Sequence, residues 1–366
     1  MKKILILTAS FGEGHNAAAR GLRDAFARID HGASLVEVHD LFAETYGAFN
    51  NLARWGYLAM ISSAPRIWSA LYRSVDRKKD FAGNFRLLFA VKNRLSALLA
   101  RFRPDVIVSV YPAYPHLLDE ILGRAGAGSC PRVVIITDSI TVNSVWFRCS
   151  ADFFLVPNEA TAEVLRQNEV PPGITKDFGF PVSPKFAELG EIKIPPSSDS
   201  PRRILYMINA AKSTAPELVR RLVELSNVDL IVTVGRDERL RNAIENVRSE
   251  SDRHFEIVGW SEEMPRLMKE SHLLIGKAGG ATVQETIAAA TPMIINQVVP
   301  GQEEGNAQLV LQSKCGAVAA SHNEVIAQVE RAFVDDAKQW HEWEKNISAL
   351  SRPRAAFDIA DFLLSI

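Results

Sequence analysis

Cysteine is scarce. Cys130, Cys149 and Cys315 stand far apart, with no Cys-x-x-Cys pair and no histidine pair at zinc-ligand spacing. Neither a disulfide framework nor a structural zinc site is therefore indicated, and a reducing compartment fits that usage. Also missing is any uninterrupted apolar run near the roughly 20 residues that a spanning helix needs, so no membrane-crossing helix is expected. The start, Met1-Lys2-Lys3 before Ile4–Leu7, has only a superficial likeness to a signal peptide, because its apolar run ends at Gly12-Glu13-Gly14-His15 without a cleavage site. It reads as a first strand. Excess charge of one sign is absent too: 42 Lys+Arg face 43 Asp+Glu, a net charge of −1. That balance argues against a nucleic-acid binder whose affinity rests on phosphate neutralisation. With no long Gly/Pro/Ser bias, fibrous and disordered classes fall away, and what remains is a globular chain of 366 residues, 47% of them hydrophobic. At about 100–200 residues per domain, two domains are expected.

Short β-branched apolar runs alternate with helical patterns. In the first half they are Ile4–Leu7, Val106–Val110, Val133–Thr137 and Phe153–Val156; in the second, Ile204–Ile208, Leu230–Val234, His254–Val258, Leu273–Gly276 and Met293–Asn296. That alternation predicts an α/β fold of parallel sheets covered on both faces. The breaker-rich stretch Leu189–Arg203 marks a linker. The organisation expected is an N-terminal domain over 1–190, a C-terminal domain over 200–350 and a last helical segment over 351–366. Two doubly wound, Rossmann-like domains would face a central cleft, with ligands beyond the carboxyl ends of the strands.

Charge is concentrated in one place. Tyr46–Arg103 holds eleven Lys/Arg against only Asp76 and Asp80, interleaved with Trp55, Tyr57, Trp68, Tyr72, Phe81, Phe85 and Phe89. This is the composition of amphipathic segments that lie on an anionic bilayer, and also that of a helical insertion with a solvated basic face.

Two glycine turns carry the chemistry. The first strand runs into Gly12-Glu13-Gly14-His15-Asn16 and then a helical pattern, a geometry that leaves free N–H groups and a helix end facing a ligand. His15 sits at its mouth, where a neutral imidazole can take a proton from a hydroxyl. The spacing is neither G-x-G-x-x-G nor a P-loop, so neither NAD nor ATP is expected. In the second half Leu273-Leu274-Ile275-Gly276-Lys277-Ala278-Gly279-Gly280-Ala281-Thr282 reads as strand, turn and helix start, an anion site around Gly279–Thr282. Glu285, one turn on, can accept hydrogen bonds from a ribose diol, or can simply complement the helix dipole. Gln302, Glu303, Glu304 and Asn306 crowd the next loop, either to bond sugar hydroxyls or as a polar turn.

The run GKAGGATVQETIAAATPMIINQVVPGQEEGNAQLV resembles the donor signature of the inverting GT-B glycosyltransferases that include the MurG transferase and the monogalactosyldiacylglycerol synthases. SFGEGHNAAARGLRDAF and ITDSITVNSVWFRCSADFFLVPNEATAEVLRQNEVPPGITKDFGFPVSPKF are similar to the diacylglycerol glycosyltransferase branch. The resemblance implies that Glu285 holds the ribose of a UDP-sugar, that Gly279, Gly280, Ala281 and Thr282 meet its diphosphate, that Gln302, Glu303 and Asn306 bond the sugar, and that Gly259 and Trp260 lie beside the uracil. It implies His15 as general base or acceptor-binding residue and Asp138 as the acid of the family's TD pair. Residues 46–103 would be the membrane-docking part, which puts the protein in the cytoplasm, peripheral to the inner face of the cell membrane. No metal cofactor is expected. Two departures stand out. Asn143 occupies the region where the family often has a histidine, and Ile208-Asn209-Ala210-Ala211-Lys212-Ser213-Thr214 has no glycine, although Lys212, Ser213 and Thr214 offer side-chain donors to a phosphate. A hexose transferred from UDP to a lipid hydroxyl is the expected reaction. A soluble or polyprenyl-linked acceptor, UDP-sugar epimerisation and a non-catalytic nucleotide-sugar-binding role stay open beside it.

Overall fold

The computed structural model describes residues 1–30, 32–47, 88–126, 130–197, 200–301 and 303–366. The chain divides into two compact units. The first comprises Met1–Pro184, Val299–Gly305 and Arg354–Ile366, the second Lys185–Val298 and Asn306–Pro353.

The first unit begins β1 (Lys2–Leu7), α1 (Glu13–Ile29), β2 (Ser34–His39) and α2 (Leu41–Tyr46). It continues with α3 (Phe89–Phe102), β3 (Val106–Ser109), α4 (Ala113–Leu122), β4 (Arg132–Ile135), β5 (Phe153–Val156), α5 (Glu159–Gln167) and β6 (Thr175–Asp177). Its six strands are all parallel, in the order β2-β1-β3-β4-β5-β6. β1, β3 and β4 are apolar on both faces because helices cover both, and Ile4, Leu5, Ile6 and Leu7 are fully buried.

The second unit runs α6 (Lys185–Glu188), β7 (Arg202–Met207), α7 (Ala215–Glu224), β8 (Val228–Gly235), α8 (Glu238–Glu250), β9 (Glu256–Gly259) and α9 (Met264–Glu270). Then come β10 (Leu273–Lys277), α10 (Gly280–Ala288), β11 (Met293–Gln297), α11 (Glu304–Gln312, its first two residues counted in the first unit), β12 (Gly316–Val318) and α12 (His322–Leu350), which is broken at Val334–Ala337. Its strand order is β12-β11-β10-β7-β8-β9, again all parallel. A last helix, α13 (Ala355–Ser365), packs against α1 in the first unit. Among the described residues no helix is long and apolar enough to cross a membrane.

Every strand expected from the sequence is present, with ends displaced by up to two residues; the run expected at His254–Val258 pairs as Glu256–Gly259. β2, β6 and β12 lie outside those apolar runs. In each sheet the connection order reverses once, between β1 and β3 and between β7 and β10, and crevices for ligands open beyond the strand ends at such points. Those two points place the candidate sites. Residues 48–87 of the basic, aromatic stretch 46–103 lie outside the described residues.

Candidate active site

In the first unit the reversal point is where β1 hands over to α1. Gly12 sits at φ 151°, ψ 140°, backbone that favours glycine, and offers no side-chain cap to the helix it precedes. A chain of hydrogen bonds sets the loop. Thr8 Oγ1 donates to Asn16 Oδ1 at 2.9 Å, Asn16 Nδ2 donates to Ser10 Oγ at 3.2 Å, and Asp40 accepts from Ser10 N–H at 2.8 Å while capping α2 through Ala43 N–H at 2.9 Å. His15 is thereby turned inward. Its Nδ1 lies 3.0 Å from Thr137 Oγ1, and its ring meets Tyr111 edge-on at 5.1 Å and Trp146 at 5.8 Å. Loss of solvent pushes its pKa down to about 4 against a hydrogen bond to the Val110 carbonyl that raises it, so the imidazole is neutral near pH 7.

Asp138 follows Thr137 beyond β4. Its Oδ2 accepts from the indole N–H of buried Trp146 at 2.8 Å. Burial raises its pKa to about 6 although the indole bond lowers it, so the group is mostly ionised near pH 7. Trp146 thus touches both titrating residues. Asn143 accepts Val145 N–H at 3.1 Å and caps the turn Ser144–Trp146 that delivers the indole, which gives that departure from the family pattern a structural task. Around His15, Phe11, Phe42, Tyr111 and Tyr114 form an aromatic wall with ring centroids 5.5–6.2 Å apart. The loop at 299–305 ends against the same region. Gly305 N–H donates to Thr141 Oγ1 at 3.0 Å, and a Cβ on Gly305 would stand 2.0 Å from the Ser139 carbonyl oxygen.

In the second unit the reversal point joins the 208–214 loop to the start of α10. Gly279 occupies the N-cap of α10 and offers no side-chain cap to its first amides, at Gly280, Ala281 and Thr282. A Cβ on Gly279 would lie 3.6 Å from Lys277 Nζ, so the ammonium stands over the helix N-terminus, where an anion gains from both. Glu285 is half-buried on α10. At the end of β9 a Cβ on Gly259 would come within 2.7 Å of the Arg241 guanidinium; the next residue, Trp260, is 58% exposed with the Arg236 guanidinium 4.4 Å from its ring centroid. Lys212 pairs with Asp237 at 2.7 Å. Ala211 takes φ 50° in that glycine-free loop, a conformation that favours glycine. Among the described residues no three His, Cys, Asp or Glu side chains are grouped to hold a metal ion.

The description "Monogalactosyldiacylglycerol (MGDG) synthase" matches residues 15–182, and "Glycosyltransferase family 28 C-terminal domain" matches residues 204–356. The chain belongs to the GT-B glycosyltransferase family of MurG and the monogalactosyldiacylglycerol synthases. This glycosyltransferase is 26% identical to the processive diacylglycerol beta-glucosyltransferase of Bacillus subtilis (strain 168), over 95% of this chain and 91% of that protein. It is 28% identical to the probable chloroplastic monogalactosyldiacylglycerol synthase 2 of Oryza sativa subsp. japonica, over 98% of this chain and 79% of that protein. Its fold is that of Acinetobacter baumannii MurG, with a TM-score of 0.64 at 13% identity over the whole of both chains. It is also that of the S. aureus MnaA-UDP co-structure, with a TM-score of 0.62 at 13% identity over 99% of this chain and 96% of that one.

Within this glycosyltransferase the residues expected from sequence fall into two groups. His15 and Asp138 meet around Trp146, while Gly279, Gly280, Ala281, Thr282 and Glu285 line the start of α10. Three others are occupied within the protein. Lys212 is ion-paired, Glu303 accepts Val299 N–H at 3.0 Å across its own loop, and Asn306 Nδ2 donates to the Ala278 carbonyl at 3.0 Å. Gln302 lies outside the described residues. Sequence reasoning passed over Lys277 and Tyr111. The signal for Lys277 was a cation inside the strand-to-turn motif itself; for Tyr111 none was available, since only the sheet order brings β3 beside β1.

Proposed function

We propose that this glycosyltransferase moves a hexose from a UDP-sugar to the hydroxyl of a membrane diacylglycerol, with inversion at the anomeric carbon. The observation that carries this reading is the neutral imidazole of His15 set in an aromatic wall. A neutral ring accepts a proton, and aromatic surface suits the glycerol and acyl portion of a lipid rather than a sugar alcohol. The acceptor hydroxyl gives its proton to His15 while its oxygen bonds to the anomeric carbon. The bond from that carbon to the β-phosphate oxygen breaks, and its electron pair leaves with UDP. Asp138 stabilises the imidazolium as it forms, with Trp146 held between them. The first amides of α10 and Lys277 take up the charge on the leaving diphosphate, a stabilisation aimed where charge develops. Glu285 holds the ribose, Trp260 and Gly259 flank the uracil, and Asn306 reads the sugar. The basic stretch 46–103 holds the protein peripherally on an anionic bilayer at the inner face of the cell membrane.

The test is incubation of the purified protein with radiolabelled UDP-glucose, UDP-galactose or UDP-N-acetylglucosamine and anionic liposomes containing diacylglycerol. Labelled glycolipid is expected from one donor, falling about 10²–10⁴-fold in His15→Ala, the range a general base contributes. An absence of labelled lipid with every donor, while UDP still binds, overturns the diacylglycerol reading. Free epimerised UDP-sugar in its place would support the epimerase reading instead.

A further inference from the structure

Four buried side-chain polar atoms among the described residues have no hydrogen-bond partner, and two of them, Gln297 Oε1 and Asn306 Oδ1, belong to residues that bond the N–H and the carbonyl of one residue, Ala278, in the second unit. Gln297 closes β11, and its main-chain carbonyl accepts the Ala278 N–H at 2.9 Å. Asn306 stands on α11 and donates its Nδ2 to the Ala278 carbonyl at 3.0 Å. Because only the nitrogen of an amide can donate, that bond fixes Asn306 with its oxygen elsewhere, and the oxygen is the orphan. Ala278 immediately precedes the Gly279 N-cap of α10. Two unsatisfied acceptors therefore sit beside the anion site, one of them on a residue that the sequence motif does not mark.

Their chemistry narrows what can satisfy them. Amide oxygens accept only, so phosphate, carboxylate and carbonyl groups offer them nothing; they need O–H or N–H donors. A bare cation is disfavoured, since Lys277 is the register partner of Gln297 and its ammonium stands over the start of α10. A buried acceptor left without a donor costs free energy, and a ligand that supplies one recovers it on binding. We infer that Gln297 is a donor-specificity residue, its Oε1 accepting one hydroxyl of the transferred hexose while Asn306 Oδ1 accepts another. The inference rests on the UDP-hexose reading above. Since the diphosphate would lie at α10 and both residues bond Ala278, just before its Gly279 N-cap, the sugar is the part of the donor that meets their oxygens.

Gln297→Met keeps the length and volume of the side chain and deletes the acceptor. Calorimetric titration with UDP and with each UDP-hexose, together with donor KM in the liposome assay, reads the outcome. Wild-type affinity for UDP is expected to persist, with about a tenfold loss for the preferred UDP-hexose and a narrowed ratio between UDP-glucose and UDP-galactose. The unliganded variant is expected to melt no lower than wild type, because the atom removed is unsatisfied there; a merely structural role would move stability and not the ratio. Gln297→Glu retains an oxygen acceptor and is expected to keep the hexose preference. A set of deoxy UDP-hexoses closes the cycle, one analogue costing wild type about tenfold and Gln297→Met nothing further. Unchanged hexose affinity and preference in Gln297→Met, or equal losses for UDP and UDP-hexose, overturns the assignment and leaves the transferase reading intact. A wild type that binds UDP but neither binds nor transfers any hexose overturns both.

Discussion

His15 and Asp138 leave their ordinary ranges in opposite directions, the first down to about 4 and the second up to about 6. Between pH 6.5 and 4 the unfolded chain protonates His15 and the native state does not, so this residue's contribution to stability falls as pH falls. Between pH 6 and 3.8 native Asp138 holds a proton that the unfolded chain releases, so its contribution rises as pH falls. Over pH 4–6 the two slopes nearly cancel. Asp138→Asn removes one of them, and unfolding free energy should then rise with pH between 4 and 6.5 more steeply than in wild type, by at most about 3 kcal/mol in all. Urea titrations at stepped pH check this; superimposable curves for the two proteins would mean that burial does not raise Asp138. Both residues stand out in the sequence as candidates because each follows a strand in a recognisable loop or dipeptide, His15 in the first turn of α1 and Asp138 beyond β4. Tyr111, Lys277 and Gln297 do not. Their claim rests on which strands become neighbours and which amides go unsatisfied, and neither is written in residue type.

Helix α1 carries the second lesson. A glycine inside a helix is ordinarily weaker than alanine by about 1 kcal/mol, so Gly21 looks replaceable from sequence. In the fold a Cβ there would stand 2.1 Å from the Pro181 carbonyl oxygen and 2.7 Å from that of Val182, both backbone atoms that cannot swing aside. The sign therefore reverses. Gly21→Ala should destabilise by about 1–3 kcal/mol, the range of overpacked cores, read as a lowered urea midpoint. Gly173→Ala, with nothing within 4 Å of the added carbon, is the control and should leave that midpoint unmoved. The same contrast between local pattern and context governs the strands. β1, β3, β4, β5, β7, β8, β10 and β11 were legible as apolar runs because covered strands are apolar on both faces, and the edge strand β9 through Ile257 and Val258. β2, β6 and β12 are edge strands, half-exposed, polar or only three residues long, and they carry no such run. Their pairing is supplied by the neighbouring strand rather than by their own pattern.

At the scale of the whole chain, its last residues belong with its first. The match to the family 28 C-terminal domain stops at residue 356, and α13, beginning at Ala355, is part of the first unit. Ile359, Ala360 and Leu363 are fully buried there, Phe357 nearly so, and Phe362 packs edge-on against Phe153 at 5.0 Å and against Phe178 at 5.3 Å. Lys2 Nζ donates to the carbonyl of Leu364 at 2.9 Å and also bonds that of Ile366, tying the terminal helix to β1. Burying one large apolar side chain is worth about 1.5–3 kcal/mol, so removing α13 withdraws several kcal/mol from the first unit, a large share of a typical domain's total. Truncation after Pro353 leaves the second unit's own core, from Ile204 to Trp343, intact. Calorimetry of the truncated chain should therefore show one transition shifted down by ten degrees or more, on the order expected for such a loss in a domain of this size, with the other in place. UDP binding, assigned to the second unit, should survive below the lower transition, while transfer to lipid should be lost with the first. Equal downward shifts of both transitions would mean that the two units unfold together and that α13 stabilises the whole.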